Sequence, residues 1–348
     1  QYIKDLIITI FGEEFATKIK IVPAGVDLSS FNPTGYRKKS LQKFKRSVNK
    51  KILFNGHGFS QNAQGEMLEH INGSRELNMT IKRIHQGYDD RRPDLDLPKK
   101  LASLSVNDKI ILFVGKLIVS KGVHLSIAAM PLVTGGTGRK IKLIVVGFGE
   151  QREALELLIN AIASADLKSI HSIAKIIDDK LSGQTYLRSF FYRLQTSGML
   201  KSYMKEAVDL RQNIIFTGLL GHGETRYLEQ LADIQLVMSL LPEAFGLVVL
   251  EGAACGAIPI ISNHSGLKDL ADVIEAESHL NKGFISVNLN QERIVFDLGA
   301  KISRIIALPQ AERLALGKRI AKVPLKKYSW KKTADNFIDL YWNHKKAA

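Results

Sequence analysis

From Asp108 onward, short apolar runs alternate with longer stretches whose apolar residues recur every three or four positions. A continuous apolar run bounded by turn formers reads as a buried strand, and the wider spacing as an amphipathic helix. Strands are therefore expected at 110–115, 141–147, 213–217, 234–240, 257–262 and 283–287. Helices are expected at 121–133, 151–165, 224–232 and 267–277, with two more between 291 and 322. A last helix, 330–344, is aromatic on one side and has a partner surface to cover. Strands alternating with helices of this size predict an α/β fold built on a doubly wound parallel sheet.

Two stretches interrupt the alternation. Residues 166–212 read as a long polar-helical insertion. Residues 36–100 are first basic and then rich in Gly, Asn and Gln, and predict a loose helical insertion or linker. Upstream, 3–10 has a helical period, 18–22 reads as a short strand, and 23–27 as a turn.

Composition narrows the class. With 348 residues, 45% of them hydrophobic, the chain can bury a sizeable core and form one or two domains. No apolar run approaches the ~20 residues of a spanning helix, so no transmembrane segment is expected. The first residues lack an initiator Met and a signal-peptide pattern, and the chain reads as a fragment of a longer protein. The single cysteine, Cys255, excludes an intramolecular disulfide and a Cys-based zinc site. It reads as a small core residue in a reducing, cytoplasmic setting.

The net charge of +15 is concentrated in two acid-free runs, 37–51 and 313–332, each with eight basic residues. Such runs serve first as solvated helix faces. A second reading is attraction to an anionic partner, such as the inner membrane face or a lipid phosphate. Nucleic acid is disfavoured, because no aromatic residues interleave with the charges.

Candidate chemistry gathers where strands give way to helices. The stretch 241–256, Leu-Pro-Glu-Ala-Phe-Gly-Leu-Val-Val-Leu-Glu-Gly-Ala-Ala-Cys-Gly, lies between two buried strands and predicts a strand–turn–helix–strand unit. A helix start at the carboxyl edge of a parallel sheet offers free amides to phosphates, and a carboxylate two turns on can take both hydroxyls of a ribose. Glu243 has an alternative reading as a helix-dipole partner. Glu251 stands in an otherwise apolar helix, where a carboxylate is costly unless it accepts hydrogen bonds, so it should face the sheet edge and a ligand. The stretch 115–122, Gly-Lys-Leu-Ile-Val-Ser-Lys-Gly, follows the first regular strand, and Lys116 and Lys121 could clamp a diphosphate from two sides. Alone, the two lysines read equally as surface groups.

Several motifs lead nowhere. Gly147-Phe148-Gly149 supplies two glycines of a dinucleotide fingerprint, but Arg152 stands where the third is needed. Backbone approach to a ligand fits there; a nicotinamide or flavin does not. The glycines of 135–138 precede a strand and are on the wrong side for a phosphate loop. Asp94 and Asp96, between two prolines, read as a solvated loop and not a metal pair. The nine histidines show no metal spacing, and no Ser-His-Asp order appears.

With these residues placed, the chain resembles the retaining, nucleotide-sugar-dependent GT-B glycosyltransferases of family 4, the glycosyl transferases group 1. The carriers are Ile-Val-Pro-Ala-Gly-Val-Asp at 21–27 with Phe-Asn-Pro at 31–33, the 115–122 clamp, 145–149, Phe-Thr-Gly at 216–218, the paired glutamates of 242–259, and Tyr-Ser-Trp at 328–330. The resemblance implies that Lys116 and Lys121 bind the donor diphosphate and Glu243 contacts the donor sugar. It implies that Glu251 holds the ribose hydroxyls, while the amides of Phe245, Gly246, Leu247 and Val248 meet the distal phosphate and sugar. Gly115 and Gly147 would belong to the donor loops, and Thr217, Gly218 and Leu219 would line the base.

It further implies a hexosyltransferase without metal or other cofactor, using a nucleotide-diphosphate sugar as substrate and a sugar, lipid or polysaccharide as acceptor. Residues 1–35 would be the end of an acceptor domain and hinge, 36–100 an insertion, 101–325 the donor domain, and 326–348 a helix packing back toward the first domain. On this reading the chain is the donor half, unable to transfer sugar alone, and cytoplasmic or peripheral at the inner membrane face. Two further readings remain: a non-catalytic nucleotide-sugar-binding module, and a GT-B-like sugar-nucleotide epimerase, which would want further acid/base residues.

Overall fold

The computed structural model describes residues 1–33, 37–55, 92–133 and 140–347. The glycines of 135–138 and the Gly-, Asn- and Gln-rich stretch lie outside the described residues. Six parallel strands form one sheet: β1 (Lys109–Val114), β2 (Ile141–Val146), β3 (Ile214–Phe216), β4 (Ile234–Val237), β5 (Ile258–Ser262) and β6 (Ser286–Val287). Their order is β3-β2-β1-β4-β5-β6, the doubly wound arrangement whose switch point falls between β1 and β4. Phe113 pairs with Val145 on one side and with Leu236 on the other, which fixes the register at the carboxyl edge.

Alternation along the strands divides the core. Ile111, Phe113, Leu143 and Val145 face one cluster; Ile110, Leu112, Ile144 and Val146 face the other. Both faces are buried, as near-continuous apolar strands require. The connecting helices, with short linking turns between some of them, are α1 (Tyr2–Phe11), α2 (Arg37–Asn55), α3 (Leu97–Ala102), α4 (Val123–Ala129), α5 (Arg152–Ala163), α6 (Leu167–Asp178), α7 (Tyr186–Thr196), α8 (Leu200–Glu206) and α9 (Leu210–Asn213). They continue as α10 (His222–Leu231), α11 (Leu247–Cys255), α12 (Ser265–Glu277), α13 (Ile294–Ala307), α14 (Gln310–Lys327) and α15 (Trp330–Ala347).

Three expectations change. The strand expected at 18–22 does not form: no strand among the described residues pairs with it, and Ile21 stays exposed. The described part of the patternless stretch is integral and not loose. Helix α2 buries Leu41, Phe44 and Val48, and α3 buries Leu97 and Leu101 in the same cluster. Arg37, first in the basic run, pairs with Asp233 at 3.0 Å, and Lys51 with Glu224 at 3.0 Å. Part of that run therefore ties the helix down. The insertion after α5 is more apolar inside than its sequence suggests. Phe190, Phe191 and Tyr203 stack edge to face, and the Tyr203 hydroxyl donates to the Ala128 carbonyl at 2.9 Å.

Cys255 is buried, as expected, and its thiol is pushed far up by burial. No described helix is long and apolar enough to cross a membrane.

Candidate functional site

Four chain segments meet at the carboxyl edge beside the switch point. The loop after β1 and the loop after β2 are joined by backbone bonds: Gly115 N–H to Val146 O, Leu117 N–H to Phe148 O, and Gln151 N–H to Leu117 O, at 2.8–3.0 Å. Gly147 N–H continues the ladder to Gly218 O after β3 at 3.0 Å. The glycines make this docking possible. A Cβ on Gly147, at φ 148, would lie 1.8 Å from the Gly115 carbonyl oxygen. A Cβ on Gly149 would lie 2.6 Å from that of Leu117. The first demand on both is thus loop-to-loop contact.

Opposite these loops, Gly246 in the left-handed region (φ 94, ψ 58) turns the chain into α11. Leu247 and Val248 open that helix, where amides have no intrahelical acceptor. Glu243 is set just before the turn. It is bonded to the Lys121 ammonium, while its carboxylate also accepts from Ser239 Oγ at 2.5 Å. Its own N–H donates to Ser265 Oγ at 2.9 Å. Burial alone would raise the Glu243 carboxyl, but the bonds from Lys121 and Ser239 outweigh it and hold it below the usual range. The structure brings Lys121 and Glu243 together; Lys116 lies exposed on the same loop and makes no ion pair among the described residues.

Glu251, about one turn into α11, is half-buried and makes no hydrogen bond or ion pair among the described residues. Desolvation raises its carboxyl, and the nearby His222 opposes that only partly. A carboxylate in this state is short of donors, which a ligand's hydroxyls could supply. Of the three residues after β3, Thr217 is fully buried, with its hydroxyl donating to Gly218 O at 2.8 Å. Gly218 is covered by the segment 92–94, since a Cβ there would lie 2.4 Å from the Arg92 carbonyl oxygen. Leu219 alone keeps accessible surface.

The solvated loop expected at Asp94 is a correction. Asp94 is buried, pairs with Arg152 at 2.6 Å and Lys100 at 2.8 Å, and takes its N–H bond to Thr217 O at 2.9 Å. Burial would raise its carboxyl, but the two cations win and lower it. Arg152, which displaced the third fingerprint glycine, also pairs with Glu156 at 2.7 Å and lies 4.2 Å over the Phe216 ring. It clamps the β3 edge from below the loops.

Sequence reasoning missed Ser239, Ser265 and His264, whose Nε2 lies 2.7 Å from Ser239 O. Ser239 was visible as the one hydroxyl in the apolar run 234–240. Gly266 was a second signal, because a Cβ there would meet the Ala244 carbonyl oxygen at 2.2 Å. Among the described residues no group of three His, Cys, Asp or Glu could hold a metal.

The sheet order defines a class: the mixed α/β fold of the GT-B glycosyltransferases, with a crevice at the switch point. Residues 99–171 and 199–321 match the family "Glycosyl transferases group 1", and the chain belongs to that family. An uncharacterized glycosyltransferase of Methanocaldococcus jannaschii is 22% identical over 268 residues, covering 75% of this chain and 53% of the relative. The chain thus spans about half the length of the curated relative it matches.

Among solved structures, a glycosyltransferase from Rickettsia africae aligns with a TM-score of 0.53 at 14% identity, covering 100% of this chain and 62% of that one. Sucrose-phosphate synthase from Thermosynechococcus elongatus gives 0.51 at 17%, covering 99% and 57%. Anabaena HepE in complex with UDP and glucose gives 0.51 at 11%, covering 98% and 60%.

Proposed function

We propose that this chain is the donor-binding half of a retaining glycosyltransferase that uses a nucleotide-diphosphate sugar. The carrying observation is the pairing at one sheet edge of a Lys121–Glu243 couple with Glu251, a half-buried carboxylate that makes no hydrogen bond or ion pair among the described residues. In this reading Lys116 and Lys121 hold the donor diphosphate and stabilise charge on the departing group. Fixed cations that need no reorganisation are effective in that role. The amides from Phe245 to Val248 meet the distal phosphate and sugar, and Glu251 accepts from the ribose hydroxyls. Glu243 exchanges part of its bond to Lys121 for the donor sugar. Leu219 supports the base, with Thr217 and Gly218 shaping the wall behind it. The lysines supply the positive charge, so the reading needs no metal.

Retention follows from attack on the donor face that the phosphate leaves, with the departing phosphate oxygen taking the acceptor proton. That UDP and UDP-glucose are bound in the Anabaena HepE structures supports the donor class. The acceptor side would come from a first domain. Exposed Ile10 and Phe11 on α1 and exposed Phe337, Ile338, Tyr341 and Trp342 on α15 are apolar surface suited to meet it.

Calorimetry of the chain against UDP, ADP, GDP and their sugars tests the donor reading. Binding of one diphosphate series without turnover by the chain alone is expected. Silence across the whole panel would sink it.

An anionic surface partner is proposed from a separate observation. Lys39, Lys43 and Arg226 line a polar cavity of about 360 Å³ between the 29–33 turn, α2 and α10, and no acid among the described residues lines it. Flotation with phosphatidylglycerol vesicles should carry the chain up, and high salt or Lys39→Ala/Lys43→Ala should release it. Equal flotation with purely zwitterionic vesicles speaks against charge as the cause.

A further inference from the structure

Behind Glu251 lies a second carboxyl that the proposed donor chemistry does not use. Glu229 on α10 is fully buried, and so is Gln235 on β4. The Gln235 amide occupies a notch in α11 created by Gly252, the residue after Glu251. A Cβ on Gly252 would lie 1.3 Å from Gln235 Oε1, so this glycine and this amide require each other. Neither Glu229 oxygen nor either polar atom of the Gln235 amide completes a hydrogen bond of good geometry, although the amide lies beside the Glu229 carboxyl. An apolar pair would pack this position without that cost, so the polar pair has a use beyond packing.

The groups around Glu229 are few. From α11 it is faced by Glu251 and, further along, Cys255; from β4 by Gln235. His222 stands at the start of its own helix, near Glu251. On α2 the nearby cations are taken, Lys51 by Glu224 and Arg37 by Asp233. Among the described residues no cation acts on the Glu229 carboxyl. Two carboxyls in one apolar wall cannot both be charged cheaply, and the deeper one keeps its proton.

We infer that Glu229 is a positioning residue for Glu251: a neutral carboxylic acid behind it, seated by Gln235 in the Gly252 notch, that leaves Glu251 the single charge of the pair. The inference rests on the donor-pocket reading of Glu251. Burial first, and then the neighbouring Glu251 charge, push the Glu229 carboxyl well up, in keeping with that arrangement. Ionising Glu229 would set a like charge behind Glu251 and weaken its grip on a ligand's hydroxyls.

The test uses the full chain with carboxyl-13C glutamate. The resonance missing from Glu229→Gln identifies the group, and it should stay at its protonated position well above the range in which ordinary carboxyls ionise. An ionised resonance there overturns the inference. Calorimetry with whichever of UDP, ADP and GDP binds gives the second readout. Wild-type affinity should fall about fivefold as the pH is raised through the Glu229 titration, and the fall should vanish in Glu229→Gln. An equal fall in both overturns the inference.

Should Glu229→Gln fail to fold, Gln235→Leu serves: a displaced Glu229 titration is expected, and an unmoved one counts against the device. If Glu251→Ala abolishes binding yet Glu229 is ionised, the inference alone fails. If no diphosphate binds the wild type, both readings fail.

Discussion

Replacing Glu251 with alanine is expected to weaken binding of the preferred nucleoside diphosphate about ten- to a hundredfold by calorimetry. The figure follows from a net loss equal to one charge-assisted hydrogen bond, ~1.5–3 kcal/mol, at ~1.4 kcal/mol per decade. Because Glu251 makes no bond to the described protein, its removal leaves no partner stranded and should spare the fold. Thermal stability equal to wild type would separate lost binding from unfolding. Lys121→Ala should lose affinity for a different reason: it removes a cation proposed to hold the diphosphate and also leaves Glu243, among the described residues, with Ser239 as its remaining side-chain donor. Pyrophosphate should therefore distinguish the two variants, since it lacks the ribose that Glu251 would read. If Glu251→Ala weakens pyrophosphate as much as the diphosphate, the ribose assignment is wrong.

The largest effect on stability is expected at Asp233, at the amino edge of the sheet. Its carboxylate accepts from Arg313 Nε at 2.9 Å, from Arg37 at 3.0 Å and from Ile110 N–H at 2.9 Å. Arg313 is itself buried. Asp233→Ala leaves that guanidinium uncompensated, a loss of the kind that costs ~3–5 kcal/mol. Urea unfolding should read it as a lower midpoint with an unchanged slope.

The pH dependence has a definite sign. Burial would raise the Asp233 carboxyl, but Arg37, the Ile110 amide and Arg313 lower it on balance. The unfolded chain then binds more protons across the interval between the folded and unfolded values. Its contribution is complete above the unfolded value of ~3.9 and is lost as pH falls through the lower folded value. Asp233→Ala should lack that part of the acid sensitivity. A wild-type acid transition unaltered by the mutation would contradict the assignment.

The sheet and its edge site were legible because both are local. Apolar runs announce buried strands, and the residues that follow them occupy the carboxyl edge. Hence the lysine loop and the glutamate turn could be located, and Lys121 and Glu243 do meet. What escaped depends on partners distant in sequence. Asp94, read from its prolines, belongs to Arg152 and Thr217. The strand expected at 18–22 had the right composition and no strand among the described residues to pair with.

Glu229 was half visible. Its spacing four residues after Thr225 puts it on a buried face of α10, yet only the Gly252 notch explains why a polar cluster can sit there. The covering of Thr217 and Gly218 by 92–94 also could not be foreseen, because nothing local links those stretches.

The loops after β1, β2 and β3 are stitched to one another through their own backbones, and 92–94 is stitched to the last of them. A loop that must be ordered by its ligand spends part of the contact energy on lost conformational freedom. Here that freedom was surrendered at folding. Occupancy of the crevice should therefore leave amide exchange in these loops nearly as slow as before, and association should lack a slow ordering phase. The same stitching limits improvisation: a side chain added at Gly147 or Gly149 disturbs two loops at once, so substitutions are free at the accessible Lys116 and Leu219 but not along the seam between them.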